Sequence, residues 1–154
     1  MITQSCLIKP KPVVNNNNTV HSIFMSQALN NAKQAKLVYA DTFLSFAKLH
    51  RRSDELARFL LHKDIQLENL VAVLMDRSID AVLGQLGVLK SGGAYLPLSP
   101  TDYPMARIEV ILEDAKVNYV ITQKKYKGLI EPLQHALGRE LIVFFTDDQN
   151  DMAA

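Results

Sequence analysis

Leu70-Val71-Ala72-Val73-Leu74-Met75 is an unbroken apolar run, and Ala94-Tyr95-Leu96-Pro97-Leu98 follows it across a stretch with helical spacing from Ser78 to Lys90. Apolar runs this short, with no polar alternation, suit strands covered on both faces, as in parallel sheets. Two more follow, Asn118 to Thr122 and Glu140 to Phe145, separated from their predecessors by helical patterns over Pro104 to Asp114 and Tyr126 to Leu137. A strand–helix–strand order with right-handed crossovers predicts an α/β fold, helices layered on a mainly parallel sheet.

Working toward the N-terminus, Phe46, Leu49, Leu56 and Leu60 fall on one helical face, and Arg51, Arg52, Asp54, Glu55 and Arg58 cover the rest. Before them, Leu37, Val38 and Tyr39 form one arm of an N-terminal hairpin. Phe43, Leu44 and Phe46 continue the other, with Ala40, Asp41 and Thr42 near the turn. A first helix is expected from Val20 to Lys33, capped by Thr19. Pro10, Pro12 and the run Asn15 to Asn18 mark residues 1–18 as a flexible leader, since such a segment buries too little surface to offset its ordering entropy. Residues 147–154 read as a frayed tail, which leaves 19–146 as one folded unit.

The 154 residues suffice for one domain, and 17 basic against 16 acidic side chains leave a net charge of +1. So small a charge gives no field to hold a nucleic-acid backbone, and no window has the length of a membrane span. Neither nucleic acid nor membrane is expected as a partner. One cysteine, Cys6, excludes an internal disulfide framework, and the N-terminus lacks the apolar core of a secretory signal, so a reducing cytoplasm is expected.

Site chemistry is sparse. Gly84 to Ser91 lacks the second glycine of a Walker A loop and ends a helix instead of opening one; Gly92 suits a left-handed cap, and Lys90 the negative end of the helix dipole. His21, His50, His62 and His135 are too far apart for a zinc site and read as solvated surface residues. No Gly-x-Ser-x-Gly elbow proposes a nucleophile. Asp76 ends a strand, where open α/β sheets place ligands, but no acidic pair precedes it to help hold a metal; it reads as a helix cap, with Ser78 as its rival.

Two stretches carry a family resemblance. Leu44-Ser45-Phe46-Ala47-Lys48-Leu49, continued to Leu60, and Leu89-Lys90-Ser91-Gly92-Gly93-Ala94-Tyr95-Leu96-Pro97-Leu98-Ser99-Pro100 resemble the first two core motifs of nonribosomal peptide synthetase adenylation domains. Those motifs usually run Leu-(Thr/Ser)-Tyr-x-Glu-Leu and Leu-Lys-Ala-Gly-x-Ala-Tyr-(Val/Leu)-Pro-(Leu/Ile)-Asp. Asp76-Arg77-Ser78, Tyr103-Pro104, Arg107, Leu112 to Ala115 and Val120 to Gln123 keep the family's order, so the likeness covers Thr19 to Gln123. Departures are Lys48 for the capping-box Glu, Gly84 and Gln85 at usually apolar helix positions, and Ser99 for Asp. A mid-helix glycine costs about 1 kcal/mol on propensity alone.

The resemblance implies the N-terminal part of the large subdomain of an AMP-forming adenylate synthetase. Complete members activate an amino acid with ATP and magnesium and load it onto a carrier protein. Their Gly-rich phosphate loop, nucleotide-binding residues, specificity pocket and catalytic lysine lie beyond the matched motifs. None is expected here, so no catalytic, cofactor or metal residue is assigned; the motif residues Leu44, Ser45, Phe46, Leu49, Leu89, Lys90, Gly92, Gly93, Ala94, Tyr95, Pro97 and Pro100 are read as structural. Three roles stay open: a truncated product inactive alone, half of a split enzyme completed by a complementing adenylation-domain chain, or an interaction module. An apolar sheet edge or face left uncovered predicts a homodimer.

Overall fold

A computed structural model describes residues 19–30 and 35–147. Four strands, β3 (Leu70–Leu74), β4 (Ala94–Leu98), β5 (Tyr119–Thr122) and β6 (Ile142–Phe145), form one sheet in the order β4-β3-β5-β6, every pair parallel. The chain runs from β3 out to β4, returns to β5 and continues to β6. The direction of winding therefore reverses between β3 and β5, the switch point of a doubly wound sheet.

Helices cover both faces, as the apolar runs require. On one side Val71, Val73, Ile121 and Phe144 pack against Leu49, Leu56 and Leu60 of α2 (Phe46–His62) and Leu83, Leu86 and Val88 of α3 (Ile79–Lys90). On the other, Ala72, Leu74, Leu98 and Val120 meet Ile108 and Leu112 of α4 (Met105–Asp114) and Ile130 and Leu133 of α5 (Lys127–Leu137). At the β4 edge, however, Tyr95 is 39% exposed. Pro97 sits on this edge strand, opposite Val73, where a residue without an N–H is tolerated.

An N-terminal layer lies outside the doubly wound unit. It comprises α1 (Val20–Asn30) and the antiparallel hairpin β1 (Lys36–Tyr39) and β2 (Thr42–Ser45), paired Lys36 to Ser45 through Tyr39 to Thr42. The residues from 31 to Lys33, expected to continue α1, lie outside the described residues, as do 1–18 and 148–154. Thr19 caps α1 as expected, its Oγ1 accepting from the Ser22 N–H at 3.3 Å. One hairpin expectation changes. Thr42 stands next to the turn, paired with Tyr39, but Phe46 opens α2 because Ser45 takes the N-cap, its Oγ accepting from the Lys48 N–H at 3.2 Å.

Gly84 is no mere propensity defect. A Cβ there would stand 3.3 Å from both Val73 Cγ1 and Ile121 Cγ2, so its absence lets α3 settle on the sheet. At Gly87 a Cβ would stand 2.5 Å from Leu56 Cδ2, which makes that glycine a condition of the close α2–α3 approach.

Candidate functional site

The carboxyl ends of β3 and β5 flank the switch point, where ligands sit in open α/β sheets. Here the chain's own side chains fill that rim. Asp76 does not cap α3; Ser78 does, accepting from the Ala81 N–H at 3.1 Å. The Asp76 carboxylate instead accepts a short hydrogen bond from the Tyr126 hydroxyl, one at 3.0 Å from Ser99 Oγ and one at 3.4 Å from the Thr101 N–H, with Lys125 Nζ at 3.7 Å. These donors, Tyr126 first, hold its pKa at about 2, while partial burial pulls the other way. Ser99 thus acts as a donor; the Asp usual at this motif position would instead bring a second carboxylate against Asp76.

Beside it, Arg52 of α2 reaches across the layer. Its guanidinium donates to the Thr146 carbonyl at 2.7 Å and lies 3.4 Å from Asp80, which also accepts from Gln123 Nε2 at 2.9 Å. Asp147 accepts from the Lys124 N–H at 2.8 Å, closing the first turn of the 3-10 segment Lys124–Tyr126 that precedes α5. A recess of about 210 Å³ between α3 and the β4 edge has an apolar floor of Val73, Met75 and Pro97, with Arg77, Ser99 and Tyr103 at its margin. Among the described residues, no group of three or more His, Cys, Asp or Glu is placed to hold a metal ion.

The matched motifs serve packing. Leu44 and Leu49 are buried, Phe46 stacks obliquely on Phe24 with centroids 5.3 Å apart, and Leu89 precedes the helix stop. Gly92 takes φ +85° just past α3, as a helix-ending glycine should. A Cβ on Gly93 would stand 3.0 Å from Ile65 Cδ1 and 3.1 Å from the Asn69 carbonyl, so this turn also depends on missing side-chain bulk. Ala94 pairs with Leu70 at the start of β4, and Pro100 follows its end.

Lys90 stands in the last turn of α3, as expected, and reaches further. Its ammonium meets the first half of α2, donating to Asp54 Oδ1 and Ser53 Oγ at 2.7 Å each and to the His50 carbonyl at 3.1 Å, with His50 Nδ1 2.8 Å away. The side chain is 8% exposed, and burial holds its pKa below the ordinary 10.5 although Asp54 favours the charge. His50 is accordingly no solvated histidine, being half-buried with Nε2 3.5 Å from Asp54 Oδ2. The spacing of His50, Ser53 and Asp54, at i, i+3 and i+4, was the available signal that they share a helix face. The lysine that joins them could only come from tertiary structure.

Together these observations define a doubly wound α/β unit whose ligand-side rim is closed by hydrogen bonds and whose sequence motifs serve as joints between layers. Residues 24–152 match the family described as AMP-binding enzyme, and the chain belongs to that family. It is homologous over most of its length to adenylation domains of nonribosomal peptide synthetases. It is 37% identical over 132 residues to a mycosubtilin synthase polypeptide of Bacillus subtilis, covering 86% of this chain and 5% of that protein. It is 40% identical over 112 residues to tyrocidine synthase 2 of Brevibacillus parabrevis, covering 73% of this chain and 3% of that one.

Solved structures agree in fold. A nonribosomal peptide synthetase in its α-methyl-L-serine-AMP-bound form superposes with TM-score 0.76 at 24% identity, over 87% of this chain and 14% of that one. An anthranilate CoA ligase in complex with anthranoyl-AMP gives 0.74 at 18%, over 86% and 26%. The chain therefore spans a small part of the length of these relatives. Among the described residues, no helix is long and apolar enough to cross a membrane.

Proposed function

We propose that these residues form a scaffold of an amino-acid-adenylating domain and make no aminoacyl adenylate by themselves. The observation that carries this reading is how the two motifs are used: Ser45 caps a helix, Lys90 ties α3 to α2, and Gly92 and Gly93 close a turn. Adenylate formation needs groups that position ATP phosphates against a carboxylate and stabilise the charge that develops between them. In this reading ATP, magnesium and the amino acid are held by residues outside the matched motifs, supplied by further adenylation-domain polypeptide, and the setting is cytoplasmic.

The test is ATP–pyrophosphate exchange over a panel of amino acids. No exchange is expected from the purified chain, and exchange is expected on adding polypeptide that carries the Gly-rich loop and the catalytic lysine. Chelator-sensitive turnover by the chain alone would overturn the proposal.

A further inference from the structure

We draw no further inference here: the strongest candidate, the recess between α1 and α2 lined by Met25, Ala57, Leu61 and the buried Lys90, carries nothing, because the Lys90 ammonium is already taken up by His50, Ser53 and Asp54 and nothing in the structure shows what fills the rest.

Discussion

Lys90 and Asp76 each gather several hydrogen-bonding partners from distant parts of the chain, yet their physical balance is opposite. Lys90 lies between α2 and α3 with 8% of its side chain exposed, and desolvation outweighs Asp54 in setting its pKa. Asp76 sits at the rim with a third of its side chain exposed, and its donors outweigh desolvation. The same inventory of contacts therefore means different things. Inside the helix interface the charge is tolerated because it organises the joint; at the rim it is favoured outright.

That contrast can be broken in order of effect. The largest is expected from Lys90→Ala, which leaves Ser53 and Asp54 without their donor and opens a hole between helices, costing about 2–3 kcal/mol in urea denaturation. Lys90→Met should cost clearly less, because it restores packing while Asp54, 40% exposed on its side chain, turns to water. Equal losses in the two variants would show that the ion pair, and not the packing, holds the joint.

A smaller effect, about 1 kcal/mol, is expected from Tyr126→Phe, which removes the leading donor to Asp76. It also sharpens the pH comparison. The folded-state pKa of Asp76 lies below the ordinary 3.8, so its contribution is complete above 3.8 and is lost as pH falls toward about 2. Tyr126→Phe should shrink that acid-side loss, and Asp76→Asn should remove it. For Lys90 the lowered value means that the unfolded chain holds more protons between that value and 10.5. Stability should therefore rise with pH across that window, and Lys90→Met should flatten the rise. A titration of stability over both ranges checks the signs.

The strands and helices of the doubly wound unit were legible because each carries its own period. Ala94–Leu98 stands where its apolar run placed it, and the helix after Ser78 ends at Lys90 as read. Boundaries slipped where one hydrogen bond decided them. Phe46 is apolar enough for either hairpin arm or helix, and the Ser45 hydroxyl settles it as helix. Asp76 and Ser78 both looked like caps, and spacing could not choose, because what draws Asp76 away is Tyr126, fifty positions later in the chain. The expected penalty at Gly84 came from helix propensity alone; the close approach of Val73 and Ile121 gives the residue its reason.

The sequence alone determined the fold class, the parallel sheet and the family, because apolar periodicity, caps and glycine turns are local properties. Tertiary structure decided where the polar groups meet: Lys90 with His50, Ser53 and Asp54, Asp76 with Ser99 and Tyr126, Arg52 with Asp80 and Thr146. Among the described residues it also decided where large apolar side chains stay exposed, on α1 and the hairpin and at Leu70 and Tyr95 of the sheet. Both depend on which distant segments are brought together, a relation that no spacing within a single segment encodes.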